Sequence, residues 1–209
     1  MLLSGRSSFT RSLQPNRLRV CCRNADGVIS PSRHDAPGKR PASRIARAAD
    51  FVALLEALGC EVRDLGTVPD RLDATREALR HAAADNDLIV TCGGVSVGEE
   101  DHVKPAVEAE GRLDMWKIAM KPGKPLAFGE ISRAGGEQGK AWFIGLPGNP
   151  VSAIVTFMIM VRPFVLRLQG VEKVMPQALT LSADYDWPRP DVRREFLRAR
   201  FSDDGRVEL

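Results

Sequence analysis

Long apolar runs are scarce in this 209-residue chain. The longest stretch without charge or proline in its C-terminal half is Val151–Val161, 11 residues. A bilayer crossing takes about 20, so the run predicts no membrane span. Cysteine is sparse: Cys21, Cys22, Cys60 and Cys92. The adjacent pair lacks zinc-site spacing, and Cys60 and Cys92 lie in apolar segments, which predicts buried free thiols in a reducing, cytoplasmic compartment. The three histidines, His34, His81 and His102, have no metal-ligand spacing, and no Ser/His/Asp arrangement is evident. The opening "MLLSGRSSFTRSLQ" has no apolar core of a secretory signal. Its Arg/Ser content and lack of acids suit either an organellar transit peptide or a disordered tail. A net charge of +3 is too small to predict a nucleic-acid partner.

The charge that is present is uneven. Residues 1–50 carry 10 Lys+Arg against three Asp, and residues 51–209 carry 20 against 24 Asp+Glu, so the first quarter stands at +7 and the remainder at −4. Three segments follow: 1–49, Arg-rich and without sustained period; 50–170, regular; and 171–209, a short β-like tail. In "RIARAADFVALLEALG" the residues Ile45, Ala49, Val52 and Leu55/Leu58 share a helical face, and Gly59 suits the position just past the helix end. "CEVRDLG" reads as a strand, "PDRLDATREALRHAAAD" as a helix, and the apolar run "DLIVTC" as a buried parallel strand. Then come a helix near "HVKPAVEAE", a strand at "LDMWKIAM", and two strands, "LAFGEI" and "AWFIGL", joined by a polar tip. The apolar helix after "PGNP" contains Pro163, which should kink or end it, and closes at Gly170. Alternating strands and helices predict an α/β fold with an open, doubly wound, mostly parallel sheet, followed by an incomplete small β domain.

In such sheets ligands bind outside the carboxyl ends of the strands. Three loops fall at such ends. Gly93-Gly94-Val95-Ser96-Val97-Gly98 follows a buried strand and precedes a helix; successive amides there can converge on an anion, and Ser96 adds a hydroxyl. A tight turn without ligand is the competing reading. Asp101 ends that loop, and a carboxylate beside a phosphate calls for a cation between them; Mg²⁺ takes one or two carboxylates plus phosphate. Asp87 precedes the strand, which suits either a functional role or a cap on the helix-to-strand turn at the opposite end of the sheet. Lys121-Pro122-Gly123-Lys124-Pro125 is stiffened by two prolines and offers two ammonium groups to an oxyanion. Gly145-Leu146-Pro147-Gly148-Asn149-Pro150, followed by Ser152, has an unusual backbone path suited to holding an oxyanion or simply to starting a helix.

Together, "TCGGVSVGEEDHVK", "WKIAMKPGKPLAFG" and "GLPGNPVSAIVTFMIMVRPFVLRLQG" resemble the molybdopterin molybdenumtransferase family, which includes MoeA and the gephyrin E domain. The resemblance covers about residues 50–209: the MogA-like α/β domain and the first strands of a C-terminal β domain. It implies molybdenum cofactor biosynthesis, in which a transferase inserts molybdate into adenylylated molybdopterin and releases AMP, with Mg²⁺. It implies a homodimer in full-length members and a small pterin substrate. Gly93, Gly94, Ser96, Gly98 and Asp101 would face phosphates and metal; Asp87, Lys121 and Lys124 would act on substrate or molybdate; Pro147, Gly148, Asn149, Pro150 and Ser152 would line the site; Arg193 and Arg194 match a basic stretch.

The chain departs from that pattern in three ways. The family's long N-terminal portion is not seen, "NADGVISPS" stands where an acidic "TGDEL"-type loop is usual, and family-like sequence begins abruptly near Phe51. This predicts loss of the first strand, an exposed sheet edge and poor stability, with 1–49 as disordered or wrong-frame sequence. An inactive or purely binding fragment is one alternative. Molybdopterin adenylyltransferase is another, although that family's usual "GGTG" loop is replaced by "GGVSVG".

Overall fold

The computed structural model describes residues 18–25, 51–95, 102–133 and 139–209. Six strands form one sheet in the order β2-β1-β3-β7-β6-β4: β1 (Arg19–Ala25), β2 (Glu61–Val68), β3 (Leu88–Cys92), β4 (Gly111–Lys117), β6 (Pro125–Ser132) and β7 (Lys140–Leu146). β2, β1, β3 and β7 run parallel, and β6 runs antiparallel to both β7 and β4. The mixed, mostly parallel α/β sheet is as the element order predicts.

β1 corrects the largest sequence expectation. The first strand is not lost: Val20 pairs with Val62 on one side and Leu88 on the other, so the strand fills the slot between β2 and β3. Val20 and Cys21 are fully buried, on opposite faces. Its sequence signal is weak: the apolar content is four residues, Val20, Cys21, Cys22 and Ala25, interspersed with Arg19, Arg23 and Asn24. The predicted helical positions Ile45 and Ala49, and most of segment 1–49, lie outside the described residues.

Alternation along the strands sorts two cores. Val20, Leu88, Val90, Ile144 and Leu146 face the helix over 51–57 (α1) and the C-terminal helix, meeting Phe51, Leu55, Phe157, Val161 and Val165. Cys21, Ile89, Ala141 and Phe143 face α2 (Leu72–Asp85) and α3 (Val103–Glu110), meeting Leu79, Ala82, Ala83, Val103 and Val107. Helix cover on both faces explains the continuous apolar run of β3.

Both glycine stops act as predicted. Cys60 N–H donates to Leu55 O (3.1 Å) and Gly59 N–H to Glu56 O (2.8 Å), with Gly59 at φ +81°. Val171 and Gly170 repeat the pattern on Leu166 and Arg167. This paired closure satisfies carbonyls the helix end would leave open. Pro163, in contrast, does not end its helix. α4 (Pro150–Thr156) passes through a π-helical segment, Phe157–Val161, into α5 (Arg162–Leu168). Arg162 N–H reaches back to Phe157 O, and this wide turn makes room for the proline ring that follows. The resulting helix, Pro150–Leu168, is 19 residues long with mean hydropathy 1.8, long and apolar enough to cross a membrane, which the 11-residue run had not indicated. One face of it packs on the sheet through Ala153, Phe157, Val161 and Val165.

After residue 170 only two-residue strands form: β8 (Arg194–Glu195), β9 (Arg200–Phe201) and β10 (Val207–Glu208). β9 and β10 pair with each other, and β8 pairs in parallel with β5 (Met120–Lys121). Met175, Leu179 and Phe201 remain exposed.

Two predictions follow from the packing. Val20→Ala should lower unfolding free energy by about 2 kcal/mol in urea titration; an unchanged midpoint would contradict a central β1. Burial raises the Cys60 thiol from 9.0 to about 11. The folded state therefore holds that proton more tightly than the unfolded state. Its contribution is complete below pH 9 and lost as pH rises towards 11, about 1–2 kcal/mol. Alkaline stability profiles should fall more steeply for the wild type than for Cys60→Ala.

Candidate functional site

The sheet brings the three loops to one rim. β3 and β7 are parallel with Cys92 opposite Leu146, so the loops that follow them leave side by side. Gly93 N–H donates to Leu146 O at 2.9 Å and ties the first loop to the third. β6 runs the other way, with Ala127 opposite Gly145 and Pro125 opposite Lys117, so the Lys121–Pro125 loop enters at this same rim. Ile118 N–H donates to Lys124 O at 3.0 Å and closes that loop's base.

Two glycines permit the close approach. A Cβ on Gly145 would lie 2.5 Å from Val95 Cγ1 and 3.3 Å from Thr91 Oγ1. The bare backbone of β7 thus lets Val95, itself buried, seat the glycine loop on the sheet. Gly123, at φ +113°, would put a Cβ 2.5 Å from Thr156 Oγ1 and 3.5 Å from Ser152 O, so the lysine loop lies directly on α4. Gly93 and Gly94 have φ +87° and +68°, conformations that favour glycine.

The third loop starts α4. Asn149 Oδ1 accepts from Ser152 N (3.2 Å), Asn149 O accepts from Ala153 N (2.8 Å), and Pro150 sits in the first turn. Asn149 is a helix cap, and Pro147 is buried beneath the turn. These bonds use the Gly93, Ser152 and Ala153 amides internally. Thr91 and Thr156 carry buried hydroxyls without a hydrogen-bond partner among the described residues, one beside Gly145 and one beside Gly123; neither stands out in the sequence because each sits among apolar neighbours.

The two lysines are not equivalent. Lys121 Nζ lies 2.8 Å from Glu195 Oε1 and 3.6 Å from Asp191 Oδ2. The Glu195 hydrogen bond holds the Lys121 ammonium above its ordinary range, and Lys121 in turn holds the Glu195 carboxyl below its own. Asp191 is held well below the carboxylate range, first by the hydrogen bond from Arg193. Lys124 is exposed and makes no ion pair among the described residues. Glu195 and Asp191 carry no local signal in the sequence, where the basic Arg193 and Arg194 stand out; only the pairing of β8 with β5 brings them to Lys121. Arg193 in fact forks onto Asp191, and the Arg194 guanidinium lies over Phe196 at 5.6 Å.

Asp87 does not join this site. It sits at the amino end of β3, about 20 Å of strand from Gly93. There Asp87 Oδ2 accepts from Arg19 N (3.0 Å) and Oδ1 lies 3.5 Å from Arg133 Nη2. It fastens β1 to the α2–β3 turn, a correction to its grouping with the lysines. Ser96, Gly98 and Asp101 lie outside the described residues. Among the described residues no group of three or more His, Cys, Asp or Glu could hold a metal ion, so they supply no cation site of their own.

Residues 46–167 match the family model described as "Probable molybdopterin binding domain". The chain belongs to this family. It is 42% identical over 159 residues to a molybdopterin molybdenumtransferase of Haemophilus influenzae, covering 75% of this chain and 38% of that protein. It is 36% identical over 115 residues to gephyrin of Dictyostelium discoideum, covering 51% of this chain and 16% of that one. The fold is similar to the crystal structure of the molybdopterin biosynthesis moeA protein of Pyrococcus horikoshii OT3, with TM-score 0.60 and 17% identity over 91% of this chain and 43% of the other. The chain thus spans about two fifths or less of the curated relatives' lengths.

Gly145→Ala should destabilise by about 1–3 kcal/mol through its clash with Val95. Combined with Val95→Ala, a urea double-mutant cycle should show favourable coupling of about 1 kcal/mol. Strictly additive losses would contradict the contact.

Proposed function

We propose that the rim binds adenylylated molybdopterin and takes part in inserting molybdate with release of AMP, as in the molybdopterin molybdenumtransferases. The observation that carries this reading is the convergence of three loops at one rim, with the Gly93–Leu146 hydrogen bond and the Gly123–Thr156 approach holding them there. The relatives' names support molybdenum cofactor biosynthesis as the setting.

In this proposal the stiff Lys121–Pro125 loop presents fixed positive charge to a phosphate or molybdate, and Ser152 adds a hydroxyl at the start of α4. Pro147 and Pro150 fix the path of the third loop, so the pterin meets a surface that needs little ordering on binding. Asp101 is the carboxylate we assign to Mg²⁺, whose remaining ligands would be substrate phosphates; bound there, the cation would offset phosphate charge. A homodimer and a cytoplasmic location belong to the same proposal.

The test pairs calorimetric binding of adenylylated molybdopterin with molybdate-dependent AMP release. Asp101→Ala should abolish Mg²⁺-dependent release while retaining measurable pterin binding. Binding without release in the wild-type chain would favour a binding module, and no pterin binding would sink the reading.

A further inference from the structure

The ion pairs at the rim divide the labour of the two lysines. Glu195 is a prepared acceptor: its Oε2 takes hydrogen bonds from Trp187 Nε1 (2.8 Å) and Asp191 N (3.2 Å), and its side chain is 11% exposed. Those partners belong to its own segment, so the carboxylate is oriented independently of Lys121. The backbone adds two bonds across β5 and β8: Arg194 N–H to Ala119 O (3.0 Å) and Phe196 N–H to Lys121 O (2.7 Å). Lys121 is therefore held by main chain and side chain together, immediately before a loop that rests on Thr156. A carboxylate in contact with the ammonium also cancels most of the charge an incoming anion would feel there.

We propose that Glu195 is a positioning residue for the lysine loop: it anchors Lys121, and Lys124 is the lysine that contacts an anionic group of the substrate. The anchoring half stands on the ion pair and the two β5–β8 backbone bonds, and the anion half rests on the site proposed above. Segment 187–196 thereby acts as a strap that fixes the loop from outside the sheet.

Two measurements on the full chain test this. Hydrogen exchange reads the anchor. Glu195→Gln and Lys121→Met should each speed exchange of the Lys121 O-bonded Phe196 amide and of neighbouring amides at least tenfold, while Lys124→Met leaves them unchanged. Unaltered exchange in Glu195→Gln would overturn the anchoring role. AMP titration reads the division of labour. Lys124→Met should weaken AMP binding at least tenfold. Glu195→Gln and Lys121→Met should weaken it by a similar, smaller factor of about three, with the double variant no weaker than either single. Loss of binding in Lys121→Met with tighter binding in Glu195→Gln would overturn the assignment, because Glu195 would then be a competitor for a ligand-contacting lysine. If the wild type binds no AMP, the site reading and the anion half fail together, and the exchange data still decide the anchor.

Discussion

The parallel pairing of β3 with β7 is the constraint on which the rest depends. It places Cys92 beside Leu146 and so forces two loops to leave the sheet together. The Gly93 amide then has a partner within reach, and the lysine loop reaches the same rim because β6 runs antiparallel beside β7. Every feature of the rim inherits its position from that register. A one-residue slip would turn Val90 and Ile144 out of one core and into the other, so the register is fixed by both helical layers at once.

Seen this way, the glycines matter more for packing than for phosphate binding. Gly145 makes room for Val95, Gly123 for Thr156, and Gly93 uses its N–H on the neighbouring loop. The site is preorganised by bonds among its own loops. What remains open to a ligand is a small set of polar side chains held on a stiff surface, which lowers the ordering cost of binding.

Much of this was legible in the sequence. The apolar run at β3, the glycine stops at Gly59 and Gly170, and the proline-stiffened loops follow from local rules that the structure leaves intact. β1 was not legible, because a strand of seven residues with four apolar ones carries too weak a signal and is specified by its neighbours on both sides. Asp87 joins the lysines by family resemblance alone; its place before β3 already offered the other reading, a fastening at the opposite end of the sheet, and the bond to the Arg19 amide is that one. Glu195 was invisible for the opposite reason: 74 positions separate it from Lys121, and only the β5–β8 pairing brings them together. Local signals were readable, whereas contacts set by topology were not.

The central claim is that the carboxyl rim of the sheet is the ligand surface. Amide chemical-shift mapping during AMP addition tests it most directly. The account predicts the largest shifts at Gly94, Lys124 and Ser152, with Asp87 and Arg133 at the far end of the sheet unmoved. Shifts concentrated around Asp87 and Arg133, or spread without preference over both ends, would contradict it.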